Sequence, residues 1–291
     1  MEPPAPAAVD PRPQVWPAFV GFGAALFAIQ ILGVLVLGVL FAIHWIGAGE
    51  KPDTAEEILH AIEAFVFSPT TVVASAAVSS LTLTGAALIG ARLAKTPARV
   101  RLRLGPSHWS WGRVVIAAFG ALALSQVCSQ VISLAGLDGI GVLKLFANAF
   151  TTMSPVMVVL AFLFIGITAP IGEEMFFRGF MQTRLAGRWS RALSIGVTAG
   201  AFGFMHMDPV QGPFALIVGL YLGWITESSG SIRPAIAAHA LNNCFSVVGS
   251  RFGPQEVSRT VDLAIIGGAS VTLAGALAVL LLLKPKPALA V

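Results

Sequence analysis

Residues 17–43 read PAFVGFGAALFAIQILGVLVLGVLFAI, a run without one Asp, Glu, Lys or Arg. As a helix rising 1.5 Å per residue it outspans a hydrocarbon core of about 30 Å. It is about twice as long as the apolar part of a signal peptide, and no small-residue cleavage site follows it, so it reads as a retained membrane helix. The rest of the chain repeats the theme. Of 291 residues, 56% are hydrophobic and 11% charged, where soluble domains carry about 25% charged residues. Mean hydropathy is +0.84. One water-soluble core cannot hide that much apolar surface, and in lipid every backbone polar group must be bonded internally. The expectation is an all-α, polytopic integral membrane helical bundle.

Further apolar runs cover Thr70–Ala91, Val114–Gly136, Pro155–Gly172, Ala192–Met207, Phe214–Thr226, Pro234–Ser250 and Leu263–Leu283, which predicts about eight transmembrane helices. The runs near 192, 214 and 234 fall short of the roughly 20 residues that a bilayer asks for, so they must borrow polar flanks or sit inside the bundle. Residues 1–16, with four prolines between Glu2 and Arg12, read as a disordered cytoplasmic tail. Residues 17–283 read as one membrane domain, with the polar groups of its apolar helices concentrated in a core at 155–250, and 284–291 as a second cytoplasmic tail.

On an eight-helix zigzag, 14 of the 18 Lys and Arg residues fall on one side, and only Lys51, Lys144, Arg251 and Arg259 on the other. The positive-inside rule then places both termini in the cytoplasm. The basic residues form no continuous stripe, which argues against nucleic acid as a partner. The loop with Arg92, Lys95, Arg99, Arg101 and Arg103, followed by Trp109 and Trp111, reads as a contact with anionic membrane lipids. Cys128 and Cys244 lie in apolar runs and act as small hydrophobes, with no disulfide framework implied. Gly196 with Gly200, and Gly219 with Gly223, have the spacing that lets membrane helices approach closely. The Ala, Gly and Val-rich composition favours a bacterial inner membrane.

Ionisable groups inside membrane segments cost roughly 2.5–3.5 kcal/mol each on insertion scales and need a reason to be there. Three groups occur. Glu173-Glu174-Met175-Phe176-Phe177-Arg178 places Glu174 and Arg178 four apart on one helix face, where the guanidinium can hold the carboxylate. Glu173 is rotated by about 100° and is free to do something else. Phe202 and His206 form the second i, i+4 pair, and His239 and Asn243 the third. Counted along the helices from their basic ends, Glu173 and Asn243 lie about 15–16 Å deep, His239 about 9 Å and His206 about 22 Å. An ordinary interfacial salt-bridge cluster with packed histidines is the structural alternative.

The ordered trio E-E-x-x-x-R, F-x-x-x-H and H-x-x-x-N on successive membrane helices resembles the CPBP intramembrane endopeptidases. That family includes the CAAX prenyl endopeptidases and bacterial bacteriocin-processing or self-immunity proteins. Gly230-Ser231-Ile232 before the third motif fits the family's small-residue lead-in. The resemblance implies a glutamate-dependent peptidase with an intramembrane site open to the cytoplasmic side. Glu173 would be the general base that activates water, with His206 sharing the proton work. His239 and Asn243 would form the oxyanion hole, and Glu174 and Arg178 would support the site. No cofactor and no metal is expected. The substrate would be a peptide or protein with a hydrophobic or lipidated segment.

Three other readings stay open. Two histidines and a glutamate can form a catalytic zinc site, although H-E-x-x-H is absent and Asn243 is a poor zinc ligand. A non-catalytic immunity or binding protein would use the same cavity without hydrolysis. Transport is the third, against which stands the lack of a visible inverted repeat.

Overall fold

The computed structural model describes residues 13–47, 53–93, 96–137, 141–254 and 257–282. Helices α1 (Trp16–Gly47), α2 (Ala55–Val66), α3 (Pro69–Arg92), the single turn α4 (Ala98–Arg101), α5 (Trp111–Leu134) and α6 (Gly141–Thr151) lead to a long helix α7 (Pro155–Ala186). α8 (Arg191–Met205), α9 (Gln211–Ser229), α10 (Arg233–Phe252) and α11 (Arg259–Leu282) complete the all-helical bundle. Each expected apolar run coincides with one helix, although Val114–Gly136 runs past Leu134 and Ala192–Met207 past Met205, and Leu283 lies outside the described residues. Among the described residues, five helices (α1, α3, α5, α7 and α11) are long and apolar enough to cross a membrane. α8 has 15 residues, short for a bilayer, and α10 carries two of the polar groups of the site, His239 and Asn243. The fourth run continues well past Gly172: α7 carries the glutamates and Arg178 in its interior, because those charges satisfy one another instead of ending the helix.

Local chemistry sets the helix starts. Ser68, Ser154 and Ser190 each accept a hydrogen bond from the backbone N–H three residues on, and Pro69 and Pro155 occupy first-turn positions where no N–H is needed. α2 opens on a capping box in which Glu57 N–H donates to the Thr54 hydroxyl (3.2 Å) and Thr54 N–H to the Glu57 carboxylate (3.2 Å). α2 is an amphipathic helix that the hydropathy reading passed over, since its acids keep it out of any apolar window.

Cross-links define one end of the bundle. Arg184 donates to the Gln14 carbonyl (3.2 Å), Arg113 to the Leu280 carbonyl (2.7 Å), and the Ile232 N–H to the Arg103 carbonyl (3.1 Å). The start of α1, the α4 segment, the start of α5, the end of α7, the α9–α10 turn and the end of α11 therefore meet at this arginine end. At the opposite end the His44 ring of α1 meets Phe65 of α2 (5.6 Å), and the Ser133 hydroxyl of α5 donates to Asp262 of α11 (3.4 Å). Gly230, with φ at 71°, supplies the left-handed residue that ends α9.

Three details differ from the sequence reading. Of the expected disordered tail, residues 1–12 lie outside the described residues, as do 284–291, but Pro13 packs against Gly187 and Gln14 is bonded to α7. Trp109 is buried beneath the Arg113 guanidinium and against Trp224, so of the two tryptophans only Trp111 is an exposed anchor. The expected close-packing glycines hold only in part. Gly219 and Gly223 face α8, and Gly223 also faces α7, but Gly196 and Gly200 meet open space. Ala199 and Gly203 make the α8–α9 contact instead. A shift of three residues rotates the helix face by about 60°, which spacing alone does not resolve.

α7 comes close to α3 at Gly172, where a Cβ would lie 2.6 Å from the Ser80 carbonyl oxygen and 2.9 Å from the Thr84 hydroxyl. Gly172→Ala is expected to cost about 1–3 kcal/mol by overpacking against backbone, lowering the thermal midpoint of the detergent-purified protein. Gly196→Ala, with nothing within 4 Å, is expected to be neutral or to gain up to about 1 kcal/mol from helix propensity. Equal midpoints for the two variants would contradict this packing.

Candidate active site

The site is built around α7. Pro170 lacks an N–H and cannot close an α-helical bond to Gly166, and the preceding segment Phe162–Thr168 is wound as π-helix, with the Ala169 N–H bonded to the Phe164 carbonyl. The Ile165 carbonyl is left without a main-chain donor at the usual positions, since Ala169 is committed to Phe164 and Pro170 has nothing to donate. The Asn243 amide of α10 takes it, with Nδ2 donating to Ile165 O at 3.1 Å. Met175–Gln182 is also π-helical. Such insertions recur at functional sites because they re-aim the side chains that follow.

Between the two π segments stand Glu173 and Glu174, adjacent in sequence and unlike in surroundings. Glu174 is 0% exposed and accepts from Arg178, itself 0% exposed, at 2.8 Å. The second guanidinium arm donates to the Gly219 carbonyl (3.0 Å), and the guanidinium plane lies over the Phe202 ring at 4.7 Å. One turn on, Gln182 donates to the Gly223 carbonyl at 3.0 Å and to Glu227 at 3.0 Å. Two glycines on one face of α9 leave their carbonyls open to these long side chains. Arg103 completes the chain of contacts at Glu227, 2.7 Å away.

Glu173 retains 19% exposure and lines a cavity of about 550 Å³. His239 connects the two glutamates. Its Nδ1 lies 2.9 Å from Glu174 Oε1, and its Nε2 lies 3.6 Å from Glu173 Oε2. A carboxylate only accepts, so Nδ1 carries the proton and Nε2 carries one only in the imidazolium. His206 caps the end of α8, its Nδ1 2.9 Å from the Phe202 carbonyl. That carbonyl also can only accept, so neutral His206 keeps the Nε2 lone pair free. The turn after His206 is held by Met207 in the left-handed region (φ 47°) and by Asp208, whose carboxylate accepts from the Val210 and Gln211 N–H groups at 2.9 and 2.7 Å.

All four candidates for chemistry, Glu173, His206, His239 and Asn243, line the same cavity. The Phe202 ring meets both His206 (5.1 Å) and His239 (5.8 Å) edge-on, which brings together histidines that helix counting placed at different depths. Two features bear on the sequence reading. Asn243 has one amide hydrogen committed to Ile165, so a single N–H remains for another acceptor. The cavity extends away from the arginine end, because the helices there are filled by Phe176, Phe177, Met181 and Leu185, all 0% exposed.

Several residues were missed. Asn242 lines the cavity, with its Nδ2 3.4 Å from Asn243 Oδ1; a second amide in an apolar helix was the available signal. Gln182, four residues beyond Arg178, was legible by the same i, i+4 rule. Glu227 was not, since nothing in sequence couples it to α7. Among the described residues no three His, Cys, Asp or Glu side chains are grouped to hold a metal ion.

Residues 155–245 match the family model described as Type II CAAX prenyl endopeptidase Rce1-like. No curated protein and no solved structure matches the chain.

Removing one partner of a buried ion pair strands the other, at about 3–5 kcal/mol. Arg178→Met is therefore expected to lower the thermal midpoint strongly or to prevent recovery of a monodisperse protein. Arg178→Met with Glu174→Leu should recover part of the loss. A single Arg178→Met variant as stable as the parent would show that the pair holds nothing in place.

Proposed function

We propose that this chain, a member through residues 155–245 of the Rce1-like type II CAAX prenyl endopeptidases of the CPBP family, a peptidase family, hydrolyses a peptide bond within the membrane by glutamate-dependent activation of water. The observation that carries the mechanism is the split fate of the paired glutamates. Glu174 is sealed against Arg178, while Glu173 faces the cavity with His239 Nε2 at 3.6 Å.

In this reading Glu173 takes a proton from a water molecule as its oxygen attacks the substrate carbonyl carbon. His206, with Nε2 unprotonated, shares that proton work. The oxyanion that forms accepts from the remaining Asn243 N–H and from His239 Nε2–H, available when His239 is imidazolium. Protonation of Glu173 removes the charge that competed for the Nε2 proton, so this donor turns to the oxyanion as the negative charge appears. Collapse breaks the C–N bond, and Glu173 returns its proton to the leaving amine. Fixed donors of this kind are worth about 2.7–4 kcal/mol each.

Apolar walls at Leu37, Phe146, Phe150 and Phe214 support a substrate with a hydrophobic or lipid-modified segment, itself membrane-associated. Composition supports a bacterial inner membrane as the location.

The test is Glu173→Gln, nearly isosteric and without a base. Hydrolysis of a membrane-associated peptide by the reconstituted protein is expected to fall by about 10²–10⁴-fold, with an unchanged thermal midpoint and with parent activity insensitive to strong chelators. Full activity in Glu173→Gln would overturn the peptidase mechanism. Loss of parent activity with a chelator, restored by zinc, would replace it with a metal-dependent one.

A further inference from the structure

The cavity has a floor and a mouth. Toward the arginine end, Glu174, Arg178 and Gln182 are each 0% exposed and close it. From Glu173 and His239 the lining runs toward the opposite end: Thr71 near the start of α3, Gln211 at the start of α9, Ser250 near the end of α10, and Val66 and Phe67 where α2 meets α3. Val66 is 39% exposed at that rim.

Two polar stripes descend from the mouth. Thr71, Ser75 and Ser79 recur every four residues on α3, and Asn242, Ser246 and Ser250 do so on α10, each set holding one helix face. From Ser250 to His239 the drop is about 16 Å, room for about five residues of extended peptide. The stripes offer hydrogen bonds to a peptide backbone and to water, while the phenylalanine walls take apolar side chains.

The charges of the two ends fix which side this is. Arg99, Arg101, Arg103, Arg184, Arg191 and Arg233 gather at the closed end, while among the described arginines only Arg251 and Arg259 stand at the open one, beside Glu56, Glu57, Glu63, Asp208 and Asp262. Loops rich in Lys and Arg stay in the cytoplasm. We infer that the site is served from the extracytoplasmic side, by an uncharged, extended peptide segment held at the outer leaflet. What happens to that peptide rests on the peptidase reading; the direction of the mouth does not. The inference departs from the cytoplasmic opening that the family resemblance implies, because here the cytoplasmic half of α7 is packed solid.

Single cysteines test it, in a background where Cys128 and Cys244 are alanine. Ser250→Cys and Val66→Cys are placed at the mouth and Arg99→Cys at the closed end. Each is exposed to a charged, membrane-impermeant maleimide in bacterial spheroplasts and in inverted vesicles. The mouth cysteines are expected to react at least tenfold faster in spheroplasts, and Arg99→Cys at least tenfold faster in inverted vesicles. Mouth cysteines that react faster in inverted vesicles, or on the same side as Arg99→Cys, overturn the inference. The same preparations are assayed for peptide hydrolysis with Glu173 intact and as Glu173→Gln. The expected labelling with hydrolysis that ignores Glu173 would sink the peptidase reading and leave the direction of access standing.

Discussion

A guanidinium with no solvent access, inside a bundle whose outer surface faces lipid, constrains everything around it. Unpaired, Arg178 would cost several kcal/mol. Glu174 (2.8 Å), the Gly219 carbonyl (3.0 Å) and the face of Phe202 (4.7 Å) share its charge, and those contacts tie α7 to α9 and α8. Because Glu174 Oε1 also meets His239 Nδ1 at 2.9 Å, the same carboxylate sets the ring orientation on α10. The other imidazole nitrogen then points at Glu173. The geometry of the candidate site is thus a consequence of how one buried cation is satisfied.

A second constraint comes from the main chain. Pro170 and the π segment before it free the Ile165 carbonyl, and in a lipid-embedded helix a stranded carbonyl is as costly as a misplaced side chain. Asn243 meets that need and so fastens α10 to α7 one turn beyond the His239 contact. Its place at the cavity wall follows from helix register as much as from chemistry. Loss of Asn243 would therefore strand the Ile165 carbonyl and loosen α10 from the helix that carries Glu173.

Spacing carried much of this information. Glu174 and Arg178, or His239 and Asn243, share helix faces because of a period that sequence displays directly, and intramembrane polarity marked them as worth explaining. What spacing does not carry is azimuth and partner. Gly196 and Gly200 have the same interval as Ala199 and Gly203, yet only the latter pair meets α9. Trp109 and Trp111 look alike as interfacial anchors, but Trp109 is packed against Trp224 in the core while Trp111 is exposed. The Ile165–Asn243 bond crosses 78 positions and depends on a π-helical register that hydropathy does not register at all. The direction of the cavity was equally hidden, since it depends on which half of α7 is packed by phenylalanine.

Within the proposed reaction, charge balance gives the second glutamate a role of its own. Glu173, Glu174 and Arg178 together carry one excess negative charge, which a low-dielectric interior opposes. An imidazolium at His239, placed between both carboxylates in the proposed reaction, would bring the cluster to neutrality. In the proposed reaction Glu173 gains a proton at the moment the substrate oxygen gains a negative charge, so the cluster and the oxyanion change in opposite senses and the total stays constant. Glu174 is what permits this. Without its fixed charge opposite Arg178, the imidazolium would add to an uncompensated cation, and His239 could not offer Nε2–H to the oxyanion without building up positive charge in an interior that does not solvate it.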